Sequence, residues 1–194
     1  APCAADDDLV LYLSKKLVRR EFRPLTREEL VPELFRCFDR FQIVEKCWRK
    51  VEGQWVVKDV VFTERWGEED YRFLCRCLQN TVATGGQVWG AFLEGRLKGF
   101  ASVEGPLIGS QKQYADLTSI HVSADARGHG LGRQLFQRAE ETGRRLGAKA
   151  LYISAHSSVE SQAFYKAMGC VEATEYIPAH VEQEPCDCQL ECPL

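Results

Sequence analysis

Long apolar runs are missing from this 194-residue chain: no stretch approaches the roughly 18 residues that a membrane-crossing helix needs. The opening segment, Ala1 to Asp8, is acidic where a signal peptide would be basic, so neither a leader nor a membrane partner is expected. Charge of one sign is scarce too, with 25 Lys and Arg against 28 Asp and Glu and a formal net charge of −3. Such a balance does not draw a chain to nucleic acid or to an anionic lipid surface. Internal repeats, low-complexity tracts and long Pro/Gly/Ser linkers are absent, and the composition excludes a collagen-like repeat, a coiled-coil rod and a largely disordered chain. No Cys-x-x-Cys pair occurs among the nine cysteines. The Cys75/Cys77 and Cys186/Cys188 pairs lack the spacing and nearby histidines of a structural zinc site, so no resident metal is expected. The odd count, in a chain too long for a mini-protein, also argues against a disulfide framework. Most of these residues are expected to be buried, reduced thiols of a cytoplasmic protein, with metal binding or oxidation left open for Cys186, Cys188 and Cys192.

What is present is an ordinary globular composition: 45% hydrophobic, 10% aromatic and 27% charged residues. A chain of this length buries roughly 70% of its unfolded surface and needs no staple, so residues 1–194 are expected to form one α/β domain. Val18 to Arg23 reads as a short strand closed by Pro24. Thr26 and Glu29 have capping-box spacing before an expected helix with Leu30, Leu34, Phe38 and Phe41 on one face. Gln54 to Phe62 suits a strand, and Trp66 to Asn80 a helix ended by Thr84-Gly85-Gly86. Gln87 to Leu93 and Leu97 to Val103 flank a Gly-containing turn and predict a hairpin, followed by a strand over Tyr114 to Val122. A Gly-rich turn leads into a helix with apolar residues at Leu131, Leu135, Ala139 and Leu146. A strand over Lys149 to Ala155 and a short helix over Ser158 to Met168 complete the pattern. Beyond Val171 the sequence reads as an acidic tail without Lys or Arg.

The most informative stretch is Arg127-Gly128-His129-Gly130-Leu131-Gly132 between strand and helix. Glycines permit a tight turn and close approach of a ligand, and the free N–H groups of a helix start attract anions. Together they predict a pyrophosphate cradle, against the plainer reading of a tight turn. A Walker loop would need Gly-Lys-Ser/Thr where Leu131-Gly132-Arg133 stands. The dinucleotide pattern Gly-x-Gly-x-x-Gly ends on Arg133 in one register and Leu135 in the other. Both nucleotide readings fail.

Arg127-x-x-Gly130-x-Gly132 after the strand Leu117 to Val122 resembles the acyl-CoA pyrophosphate loop of the GNAT superfamily of N-acetyltransferases. Ala163-Phe164-Tyr165-Lys166-Ala167-Met168-Gly169-Cys170 is similar to that family's late helix, and the resemblance covers about Gln87 to Cys170. It implies an α/β (α+β) GNAT fold: a mixed, mostly antiparallel central sheet with helices on both faces and splayed central strands that bind acyl-CoA. Residues 1–86 would then form the acceptor side, 87–170 the cofactor core and 171–194 an acidic segment without a counterpart in the family pattern. Two departures stand out: Ser158 occupies a position where the family often has Asn, and Cys170 replaces a Phe.

The implied reaction is direct transfer of an acetyl group from acetyl-CoA, as co-substrate, to a primary amine, a small molecule rather than a protein. A primary amine with pKa about 10 must lose a proton before attack, the developing oxyanion needs a donor, and a thiolate whose thiol has pKa near 8.5 benefits from a proton. Tyr165 matches the family's tyrosine and is the candidate acid, with a packing role as the alternative. Asp116 is the candidate base: it stands six residues before Val122, on the same strand face by period two, and aligns with the carboxylate of histone-modifying members. An ordinary solvent-facing strand residue is the other reading of Asp116. Glu104 is its rival as base, and a water chain is a third possibility.

Ile120, His121 and Val122 are expected to bind pantetheine through their backbones, with the Val122 N–H on the oxyanion. His121 alternates away from the Asp116 side and reads as structural. Arg127, Gly128, His129, Gly130, Leu131, Gly132 and Arg133 would surround the phosphates, with Ser158 and Phe164 completing the cofactor contacts. His156 is a candidate for the acceptor side, and Trp48, Trp55, Trp66 and Trp89 could wall the acceptor pocket or simply pack the core. The oligomeric state is expected to be monomer or homodimer. A catalytically silent acyl-CoA sensor is the competing function. Tyr165 together with Asp116 argues for the enzyme, because a pure binder needs neither acid nor base.

Overall fold

The computed structural model describes residues 18–194, so Cys3 and the acidic opening segment lie outside the described residues. A seven-stranded sheet runs in the order β1-β4-β5-β6-β7-β9-β8, built from Arg20–Pro24 (β1), Gln87–Leu93 (β4), Arg96–Val103 (β5), Tyr114–Val122 (β6), Ala150–Ala155 (β7), Val171–Glu172 (β8) and Cys188–Pro193 (β9). Every neighbouring pair is antiparallel except β6 and β7. Strands β2 (Phe41–Val51) and β3 (Gln54–Arg65) form a separate hairpin. Helices α1 (Glu68–Ala83), α2 (Leu131–Arg145), α3 (Val159–Ala167) and α4 (Pro178–Gln183) complete the fold.

The sheet is covered on both faces because its central strands are apolar on both sides. On one face α1 brings Leu74, Cys75 and Leu78 against Val88, Phe92, Leu97 and Phe100. On the other, Leu131, Leu135, Phe136 and Ala139 of α2 pack on Ala91, Ala101, Val103, Leu117, Leu151 and Ile153, with Tyr165 of α3 beside them.

Three expectations need correction. The helix expected after Thr26 is two short 3-10 turns, Arg27–Glu29 and Pro32–Phe35, although the Glu29 carboxylate does accept the Thr26 N–H at 2.8 Å. Pro32 has no N–H to give the preceding turn and crowds its carbonyl, so the helix cannot propagate. Leu30, Phe35 and Phe38 are buried nonetheless. Phe41 opens β2, a strand absent from the sequence reading, which turns into β3 through Glu52 and Gly53 at φ 50° and 80°. Left-handed angles at both positions are what a two-residue hairpin turn requires. Finally, the acidic tail is part of the sheet: β9 pairs with β7 along its whole length, from Ala150↔Pro193 to Ala155↔Cys188.

The eight described cysteines are free thiols, five of them buried, namely Cys47, Cys75, Cys170, Cys188 and Cys192. Cys192 belongs to the core against α2.

Candidate active site

Strands β6 and β7 are paired only at Tyr114↔Ala150, Ala115↔Leu151 and Asp116↔Tyr152. Past Asp116 they diverge, and β6 keeps its other edge on β5 as far as Val122. The fork opens into a cleft of about 1070 Å³ lined by Asp116 to Val122, the Gly-rich loop, α3 and residues of the hairpin and the C-terminal segment. The backbone of Ile120, His121 and Val122 therefore lines the cleft with no strand beside it on the β7 side.

At the open end of the fork stands the start of α2. Gly128 and Gly130 both adopt φ 79°, and a side-chain carbon built on either meets no atom within 4 Å. A residue with a Cβ rarely takes this angle. No side chain caps the helix, its first turn carries no acid, and the Leu131, Gly132 and Arg133 N–H groups make no hydrogen bond among the described residues. Free donors, a positive helix end and open space suit a pyrophosphate, with Arg127 and Arg133 on the same cleft wall. The Arg127 guanidinium also donates to the Phe41 carbonyl at 2.6 Å, which ties the loop to β2. Gly132 leaves room for Phe164, whose ring would lie 3.2 Å from a side-chain carbon there.

Two expected cofactor contacts are not brought to the cleft wall. His129 is exposed, with Nδ1 near the Ala126 and Arg127 carbonyls at 3.1 and 3.0 Å. Ser158 is fully buried, and its hydroxyl caps α3 by accepting the Ser161 N–H at 3.2 Å. Glu104 also lies off the wall: its Oε1 accepts from the Thr81 and Thr118 hydroxyls, both at 2.8 Å.

Asp116 sits at the branch of the fork and is buried. Its Oδ2 lies 2.7 Å from His180 Nε2, a residue of α4 that the sequence reading left inside the tail. The His180 ring stacks on Tyr152, with centroids 5.5 Å apart. The hydrogen bond to Asp116 pushes the His180 pKa up. Asp187, also on the wall, accepts the Ser154 hydroxyl at 3.0 Å, and burial pushes its pKa up. Tyr165 is largely buried and lines the cleft, its hydroxyl makes no hydrogen bond among the described residues, and burial raises its pKa so that it stays protonated.

Period two would place Asp116 with Val122 and opposite His121, but β6 carries a bulge. Ser102 pairs with Ser119 while Val103 pairs with Leu117, so Thr118 is an extra residue and the alternation flips. Ala115, Leu117, Ile120 and Val122 all face the core under α2, leaving Asp116 and His121 together on the opposite face. The His121 Nδ1 accepts the Arg40 Nε–H at 3.2 Å, and burial beside the Arg40 and Arg127 charges lowers its pKa to about 3. This ring is thus neutral, with its proton on Nε2. Trp66 packs edge-on against it at 5.0 Å and is the one tryptophan on the cleft wall. His156 also lines the cleft, its Nδ1 accepting the Ser158 N–H at 3.1 Å. Arg40, Glu64, His180 and Asp187 were not singled out from sequence, because only long-range packing brings them here.

The Acetyltransferase (GNAT) family model matches residues 41–170. No curated protein sequence matches the chain. Among solved structures, a nourseothricin acetyltransferase has 17% identity and a TM-score of 0.64, covering 90% of this chain and 98% of its own. A Bacillus anthracis str. Ames protein described as a streptothricin acetyltransferase, solved in complex with acetyl coenzyme A, has 15% identity and a TM-score of 0.67, covering 91% and 99%. An acetyltransferase from Thermus thermophilus has 20% identity and a TM-score of 0.57, covering 92% and 99%. These structures share the fold, and the matched model covers more than half of the chain, fork and loop included. The chain belongs to the GNAT family of acetyltransferases, and is an acyl-CoA-dependent acetyltransferase with acetyl-CoA as its co-substrate.

Proposed function

We propose that the cleft transfers the acetyl group of acetyl-CoA to a primary amine on a small molecule, with the Asp116–His180 pair taking the amine's proton. The observation that carries this reading is the 2.7 Å contact between them at the branch of the fork. In the neutral ring, Nε2 donates to Asp116 Oδ2, which leaves Nδ1 as the atom that can accept a proton. Asp116 then holds the charged ring. The helix start at Leu131, with Arg127 and Arg133, holds the pyrophosphate, and the free β6 edge binds pantetheine as an added strand would.

As the amine attacks, its nitrogen–carbon bond forms and the carbon–sulfur bond breaks; the proton goes to His180, and the sulfur leaves with the bonding electron pair. Tyr165, held protonated by burial, donates a hydrogen bond to that sulfur. The developing oxyanion needs a backbone donor on the free β6 edge nearer the base than Val122, which lies roughly 16 Å from Asp116 along the strand. Two similar folds are named for nourseothricin and streptothricin acetylation, which supports a small molecule over a protein as acceptor.

Thiol release from acetyl-CoA, measured with and without a panel of small primary amines, tests the reading. The expected result is release that depends on the amine and matches N-acetylated product mole for mole. Release that ignores the amine, or acetyl found on oxygen, would remove it.

A further inference from the structure

Among the described residues, two buried side-chain polar atoms lack a hydrogen-bond partner, Asp116 Oδ1 and Arg40 Nη1, and both residues line the cleft. Buried polar groups are almost always satisfied, so such atoms call for a ligand group. The two carry opposite charge. The Arg40 side chain is 8% exposed and firmly held: Nε donates to His121 Nδ1 at 3.2 Å, Nη2 meets Glu64 Oε2 at 3.3 Å, and the guanidinium lies over the Trp66 ring at 5.4 Å. Its remaining nitrogen thus has a fixed direction and nothing to bond. Arg127 adds positive charge nearby.

Arg40 contacts His121 on the face shared with Asp116, whereas Gly132, Phe164 and Val122 beside the phosphate loop pack together on the other. The free guanidinium edge is therefore offered to the acceptor rather than to the phosphates. Asp116 and His121 are five positions apart on β6 with one bulged residue between, a span of roughly 13 Å along the strand.

We propose that the acceptor is an ω-amino carboxylate, in which several bonds separate the reacting amine from a carboxylate that Arg40 Nη1 binds. Asp116 Oδ1 receives the ammonium end. A single free guanidinium edge with Glu64 on its other side suits one negative charge. The span disfavours an amine on the carbon next to the carboxylate. This inference rests on the amine acetylation proposed above and names its substrate class.

The test compares thiol release from acetyl-CoA with three amines that differ only at the far end: ε-aminocaproate, aminohexanol and hexamethylenediamine. The carboxylate is expected to exceed the diamine in kcat/KM by at least ~10-fold, because the diamine leaves Arg40 unpaired against a like charge. Arg40→Gln should collapse that preference. Glu64→Gln, at a half-exposed position that leaves the core untouched, should instead lower KM for ε-aminocaproate. A diamine or alcohol that matches the carboxylate, or a preference that survives Arg40→Gln, overturns the inference and leaves amine acetylation standing. No thiol release with any of the three, from protein that binds acetyl-CoA, overturns the inference, and no amine-dependent release across the wider panel of primary amines overturns amine acetylation as well.

Discussion

His180 Nε2 lies 2.7 Å from Asp116 Oδ2, joining the last residue of β6 that pairs with β7 to a helix 64 positions later in the chain. The contact fixes the ring's orientation and stabilises its charged form. It also has a consequence for stability. A histidine whose folded pKa lies above its unfolded value of about 6.5 stabilises the fold fully below that value and ceases to do so as pH rises through the folded pKa. The melting-temperature difference between wild type and His180→Gln should therefore be larger at acidic than at alkaline pH. A difference that grows with pH would mean that the ring does not gain its charge from Asp116.

Tyr165→Phe removes the hydroxyl proposed to donate to the leaving sulfur and little else, since the ring is already packed against Phe136 and Phe164. Its kcat should fall by about 10- to 100-fold while acetyl-CoA affinity stays near the wild-type value. Because burial raises the hydroxyl's pKa, the wild-type rate should show no falling limb from this residue on the alkaline side up to its ordinary titration range. Unchanged turnover in the variant would exclude Tyr165 from the chemistry.

Gly130→Val tests the phosphate cradle. At φ 79° a β-branched residue costs about 1–2 kcal/mol of backbone strain, and its side chain would stand in the open space before the helix start. Calorimetric titration with acetyl-CoA should show binding weakened well beyond what the loss of stability accounts for. Wild-type affinity would show that the loop does not hold the phosphates.

Removal of residues 188–194 should abolish cooperative unfolding, because it strips β9 from both β7 and β8 and bares the β7 edge. A truncated chain that melts like wild type would contradict the place of this segment inside the sheet.

The Gly-rich turn, the helix after it and the β4–β5 hairpin were legible in the sequence because their signals are local. Gly128, Gly130 and Gly132 mark a turn by their own conformational freedom, the apolar spacing of Leu131, Leu135 and Ala139 marks α2, and Glu94-Gly95 marks the β4–β5 hairpin. The part of the cleft around Asp116 and His180 was not, because its features arise between segments. The extra Thr118 is created by the register of β6 on β5, and nothing in Thr118 itself announces it. His180 stands among Pro178, Glu182 and Glu184, an acidic surface by composition, until β9 pairs with β7 and carries α4 over the fork. Pro32 did stand in the sequence as a reason to stop the early helix, and the apolar spacing from Leu30 to Phe41 concealed it.

The pH dependence of kcat/KM, compared between wild type and Asp116→Asn with one amine acceptor, tests the central claim most directly. The amine's own titration is common to both proteins, so a difference between the profiles reports the enzyme. If His180 takes the proton, activity must rise as its ring loses one, and wild type should show that rising limb above the ordinary histidine value of about 6.5. In Asp116→Asn the limb should move to lower pH and the plateau should fall. A limb at the same pH in both proteins would contradict the account.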